Sequence, residues 1–133
     1  MTREINKKLI KKHVLDIGSV YFYENFVVTE INEGIVFNFE KATKLFQLGK
    51  HYYGNKTPFV YISNRINSYS FEPTAHMKSK ELFPNLKGVA VVIHNPVSHK
   101  VAELEKAFLS KPSEIFYTLE NAIEWVEKLI LPD

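Results

Sequence analysis

Along this chain the spacing of apolar residues switches repeatedly between two periods, and each switch predicts a change of element. Val20–Tyr23 and Phe26–Ile31 are rich in β-branched and aromatic residues, and Glu24-Asn25 lies between them, so the stretch predicts an antiparallel hairpin closed by a two-residue turn. An earlier strand over His13–Ile17, ending at Gly18, extends that pair. The period then lengthens. Phe39, Ala42, Leu45, Phe46, Gly49, Tyr52 and Tyr53 recur at three- and four-residue steps behind Asn38, which predicts a first helix stopping near Gly54-Asn55. Pro58 opens Phe59–Ser63, a short and almost wholly apolar run of the kind that forms a strand covered on both faces.

A second helix is predicted over Phe71–Phe83, with Pro73 tolerated in its first turn and Pro84 as its stop. Gly88–His94 is the most hydrophobic stretch and predicts a central strand. Val97, Val101, Leu104 and Phe108 form the apolar stripe of a third helix, capped by Asn95 or Ser98, and such a stripe is expected to face the core. A strand at Ile115–Tyr117 follows. Thr118 then caps a last helix that buries Leu119, Ala122, Ile123, Val126, Leu129 and Ile130. The order β-β-α-β-α-β-α-β-α predicts a single α/β domain over residues 1–133. Its sheet is mixed and mostly parallel, with right-handed crossovers and an N-terminal antiparallel hairpin.

Composition narrows the chemistry. The chain has no cysteine, which removes disulfides, thiolate nucleophiles and cysteine metal sites together and suits a reducing compartment. Met1–Lys12 lacks the apolar core of a signal peptide, and no later run is long enough to span a bilayer, so the expected location is cytoplasmic. Charge is uneven: residues 1–13 hold five basic side chains against Glu4, a net +4, which leaves −2 for the rest of the formal +2. Residues 1–12 read as a basic arm, either a solvated tail or a weak contact for anionic surfaces, without specific nucleic-acid recognition. Only Asp16 and Asp133 are aspartates, so the short carboxylates that phosphoryl-accepting and Mg²⁺ sites place at central strand ends are missing.

The five histidines form no His-Glu-x-x-His pair, no Gly-x-Ser-x-Gly elbow is present, and the glycines are never clustered. No metal, no cofactor and no catalytic set is therefore expected. The consecutive aromatics Tyr21-Phe22-Tyr23 and Tyr52-Tyr53 cannot all face one side of an element, which leaves open a covered neighbour, a homodimer face or an apolar ligand pocket.

The order of elements resembles the STAS-like superfamily, the fold of bacterial anti-anti-sigma factors and of the cytoplasmic domain of sulfate transporters. More narrowly, the stretches Tyr61-Ile-Ser-Asn-Arg-Ile-Asn-Ser-Tyr-Ser-Phe-Glu-Pro73 and Lys111-Pro-Ser-Glu-Ile-Phe-Tyr-Thr-Leu-Glu-Asn-Ala-Ile-Glu-Trp-Val126 resemble small STAS-like proteins of Bacteroidetes-type bacteria. The resemblance implies a non-enzymatic regulatory module that binds a protein partner through the loop and N-terminus of the second helix. In the anti-anti-sigma branch a Ser or Thr there is phosphorylated. Here the branch's Asp-Ser-Ser-Gly-type stretch is replaced by Ser63-Asn64-Arg65 and Ser68-Tyr69-Ser70, which leaves Ser68 and Ser70 as the hydroxyls for such a switch. A related branch, resembling CRAL-TRIO lipid-binding domains, implies a small-molecule or lipid carrier as the alternative.

The residues themselves point to the same place. Ser63, Asn64, Arg65, Asn67, Ser68 and Ser70 are the densest cluster of hydrogen-bonding groups, between a buried strand and a helix N-terminus. Open α/β sheets present ligand sites outside the carboxyl ends of their strands, and Arg65 offers a fork for an anion. The same residues also suit a purely local role, satisfying a long loop and capping the second helix.

Overall fold

The structure, a computed structural model, describes residues 7–107, 109 and 111–130. Strands β1 (Lys11–Leu15), β2 (Gly18–Phe22) and β3 (Phe26–Ile31) form an antiparallel meander. From β3 onward the main sheet is parallel, through β5 (Phe59–Arg65), β7 (Leu86–Ile93) and β8 (Ser113–Phe116), in the order β1-β2-β3-β5-β7-β8. Two-residue strands β4 (Val36–Phe37) and β6 (Ser70–Phe71) pair in parallel beside it. The helices are α1 (Thr43–Tyr53), α2 (Pro73–Leu82), α3 (Pro96–Lys106) and α4 (Leu119–Ile130). This is an α/β architecture with a mixed, mostly parallel sheet, as the periodicity predicts.

Each parallel step moves the same way across the sheet, so right-handed crossovers carry α1, α2 and α3 onto one face. That face packs Leu45, Tyr53, Ala75 and Ala102 against Val20, Phe22, Val27, Phe59, Val89 and Val91. The other face is covered by α4, whose Ala122 and Val126 are fully buried against Phe26, Val28, Val60, Ile62, Ala90 and Val92. Two glycines permit these approaches. Gly18 turns the chain between β1 and β2 at φ +144°, where a Cβ would lie 2.2 Å from the carbonyl oxygen of Glu30. At Gly88 a Cβ would come within 2.6 Å of Leu129 Cδ1 and 3.1 Å of the Pro112 oxygen, so glycine leaves the room that α4 uses to settle on β7. Among the described residues no helix is long and apolar enough to cross a membrane.

Several expectations need correction. The first helix begins at Thr43, because Asn38 caps a tight turn instead: its Oδ1 accepts from Lys41 N–H at 2.8 Å and its carbonyl from Ala42 N–H at 3.0 Å. The basic arm gives way to strand already at Lys11, and Lys7 is tied to Glu127 of α4 at 3.0 Å. Phe71 belongs to β6, so the second helix starts at Pro73.

The largest correction concerns α3. Its side chains Val97 and Leu104 are 77% and 63% exposed, whereas Ala102 and Glu105 are buried. The fourth stripe residue, Phe108, lies outside the described residues. Ala102 lets the helix lie close on the sheet, and Glu105 meets a buried arginine that would otherwise be an unpaired charge.

Candidate functional site

The predicted loop over Ser63–Ser70 is half strand. β5 continues to Arg65, so Ser63, Asn64 and Arg65 are only 1%, 7% and 5% exposed. Strand alternation then divides the cluster between the two faces of the sheet.

Tyr61, Ser63 and Arg65 share the face of α1–α3. Ser63 Oγ accepts from Arg65 Nε at 3.1 Å and is 2.7 Å from the hydroxyl of Tyr69. The Arg65 guanidinium lies over the Tyr69 ring, 4.9 Å from its centroid, and its Nη2 contacts Glu105 Oε1 in a buried ion pair. Tyr61 OH is 2.8 Å from Thr29 Oγ1 on the neighbouring strand. Burial pushes the pKa of both phenols above the ordinary value; Arg65 pulls each down and Glu105 pushes each up. For Arg65, burial works against the charge, but Tyr69 and Glu105 outweigh it and raise its pKa.

Asn64 points the opposite way. Its Nδ2 donates to Glu30 Oε2 at 3.0 Å, and Glu30 Oε1 accepts from the Tyr21 hydroxyl at 3.2 Å. With Nδ2 committed, Asn64 Oδ1 is the atom 2.8 Å from His94 Nε2, which therefore carries the proton as donor. A chain Tyr21–Glu30–Asn64–His94 thus runs across three strand ends to an exposed imidazole.

The stretch after Arg65 is fastened from below. Asn67 Nδ2 donates to the Ile31 carbonyl at 3.2 Å, Ser68 O accepts from Gly34 N–H at 2.9 Å, and Ser70 N–H donates to Ile35 O at 2.9 Å. Ile66, Ser68 and Ser70 are left exposed on top. Between this segment and α3 is a cleft of about 120 Å³, with Arg65 and Tyr69 on one wall and Val97, Ser98 and Val101 on the other. Asn95, as N-cap, accepts from Ser98 N–H at 2.9 Å and fixes the start of α3 at its rim.

Of the six residues singled out in the sequence, Asn67, Ser68 and Arg65 therefore meet at one cleft, Ser63 sits beneath it, Asn64 serves the other face, and Ser70 lies in β6. Sequence reasoning missed Tyr69 and Glu105, the partners that hold Arg65. The period-two run Tyr61, Ser63, Arg65 signalled a continuing strand, but nothing marked Glu105 among the helical glutamates.

Elsewhere, a cavity of about 50 Å³ lies between α1, α2 and the sheet, lined by Phe22, Phe46, Phe59, Phe83 and other apolar groups. Among the described residues no three His, Asp or Glu side chains gather as a metal set. No family model matches the chain, no curated protein matches it, and no solved structure matches it.

Proposed function

We propose that this chain is a non-enzymatic, STAS-like interaction module that binds a protein partner at the carboxyl ends of β5 and β7. The antiparallel start, the parallel progression and a closing helix alone on the second face support the STAS-like reading. The observation that carries the binding reading is the cleft between residues 65–69 and α3. Its exposed wall residues Ser68 and Val97, with exposed Ile66 next to them along the chain, stand on a base tied by Ser63, Arg65 and Tyr69.

Exposed apolar side chains around a recess of only about 120 Å³ suit a protein surface better than a free metabolite, for which pockets of roughly 300–1,000 Å³ are usual. In this reading Ser63, Asn64 and Arg65 act as supports and do not touch the partner. Ser68 and Ser70, both exposed, are the hydroxyls that a regulatory kinase would reach.

A photo-cross-linker at position 68, with position 44 of α1 as control, tests the reading in the native host. One protein captured from 68 and not from 44, whose purified form binds the wild type and loses at least tenfold in affinity for Ile66→Asp, is the expected result. Equal capture from both positions, or unchanged affinity, overturns it.

The carrier alternative draws on the apolar cavity, where the Phe83 ring stands 2.9 Å from the place a Cβ on Gly49 would occupy. At about 50 Å³ the cavity accepts an acyl chain only if Phe83 swings aside. Native mass spectra retaining a lipid in the wild type and losing it in Gly49→Leu would favour this reading.

A further inference from the structure

We propose that the crevice at the carboxyl ends of β7 and β8 binds a phosphate monoester carried on a flat ring. The two strands are neighbours, but the chain leaves them in opposite directions: from β7 it turns into α3 on one face of the sheet, and from β8 into α4 on the other. Strand ends whose connections diverge in this way leave a gap that neither helix fills, and open α/β sheets hold their ligands at that position. Here the gap is a cleft of about 600 Å³, with His94 and Asn95 at the end of β7, Pro96, His99 and Lys100 on α3 and Tyr117 after β8 among its walls. That volume is the size of a metabolite site. The cleft lies on the opposite flank of α3 from the one at residues 65–69, whose α3 wall is Val97, Ser98 and Val101, so the inference does not rest on the partner reading.

The lining holds two histidines and a lysine but no carboxylate, which suits an anion. Lys100 is exposed and has no hydrogen-bonding or ionic partner among the described residues. Glu103, one turn further along α3, faces His99 Nε2 at 3.7 Å and lies outside the lining. His94 narrows the class of anion. Its Nε2 donates to Asn64 Oδ1, so Nδ1 is the nitrogen left over, and in that tautomer it carries a lone pair in place of a hydrogen. An anion that meets both Lys100 and this lone pair has to bring a hydrogen of its own. A phosphate monoester does so, because its second ionisation lies at about pH 6. Sulfate esters and carboxylates have none to give near neutrality. Tyr117 accounts for the ring: it is 66% exposed, and its plane lies within 7° of that of His99, with centroids 6.3 Å apart. With Pro96 it gives the cleft a flat, largely apolar wall for an aromatic body.

The probes are phenyl phosphate and phenyl sulfate, followed through the imidazole C–H resonances of His94 and His99 at about pH 6.5, close to the second ionisation of the phosphate. Circular dichroism verifies the fold of each variant. Phenyl phosphate is expected to shift both sets of resonances saturably and to bind about tenfold more tightly than phenyl sulfate, through the added hydrogen bond. Lys100→Glu should weaken it by about tenfold or more, since attraction becomes repulsion, whereas Lys44→Glu on α1 should leave it unchanged. His94→Phe should remove the preference for phosphate over sulfate. Tyr117→Ala should weaken phenyl phosphate but not inorganic phosphate. The absence of a saturable shift overturns the proposal. So does equal affinity for the two esters, or a Lys100→Glu variant that binds as the Lys44→Glu variant does.

Discussion

Arg65 has about the same exposure as the aliphatic core around it, and its charge is tolerable there only through Glu105, Ser63 and Tyr69. Removing one member of a buried pair leaves the other charge uncompensated, so Glu105→Gln should lower unfolding free energy by about 3–5 kcal/mol in urea titration. Replacing both partners, as Arg65→Met with Glu105→Leu, should cost clearly less than the two single changes added together.

A second residue-scale consequence concerns alkali. Tyr53, whose hydroxyl lies 2.7 Å from the carbonyls of Tyr23 and Phe26, has its pKa pushed well above the ordinary 10.0, mainly by burial. A phenol with a raised folded pKa stabilises the fold fully below the unfolded value and loses that contribution as pH rises beyond it. Melting temperature should therefore fall as pH passes about 10, together with tyrosinate absorbance, and Tyr53→Phe should make the fall shallower. Polar residues at a strand end read as loop in the sequence because hydrophobicity stops before the backbone ladder does. That is why Ser63–Arg65 were visible as chemistry but misplaced as structure.

At the scale of elements, α3 is the instructive case. Its apolar spacing is regular, and periodicity alone assigns Val97, Val101 and Leu104 to the core. The choice of face was made by a group on another element, Arg65 of β5, which no local pattern reports. The two orientations make opposite predictions. With Ala102 fully buried on the sheet, Ala102→Leu should destabilise by about 1–3 kcal/mol through overpacking. Leu104→Ala, at an exposed site, should change stability by less than about 0.5 kcal/mol. Thermal or urea unfolding of the two variants distinguishes them directly. By contrast, α4 was legible in outline: its Thr118 cap accepts from Asn121 N–H at 3.1 Å, and of its stripe Ala122 and Val126 are buried while Leu119, Ile123, Leu129 and Ile130 are half-buried against the same face. Only one surface is offered to that helix, and no buried charge competes for its orientation.

For the whole molecule, the hairpin, the parallel run and the alternation of layers were legible, because β7 and the first half of β5 carry nearly continuous apolar runs and the helices between them a distinct period. Strands β4 and β6 were not, since two residues are too few to show a period. The distribution of helices, three against one, makes the second face depend on a single dock. Gly88→Ala would press a methyl group on Leu129 and the Pro112 carbonyl, and overpacking of this kind should cost about 1–3 kcal/mol. Because Trp125 lies 3.0 Å from the same point, its fluorescence should shift to the red if α4 is displaced.

The order of strands across the main sheet is also their order along the chain. No strand has to be inserted between two that are already paired, so every addition extends an existing edge and closes only the loop formed by one crossover. Folding can then advance in the direction of synthesis, with each newly made segment finding its template already in place. The kinetic cost that long-range pairing normally imposes on parallel sheets is thereby divided into several small closures in place of one large one.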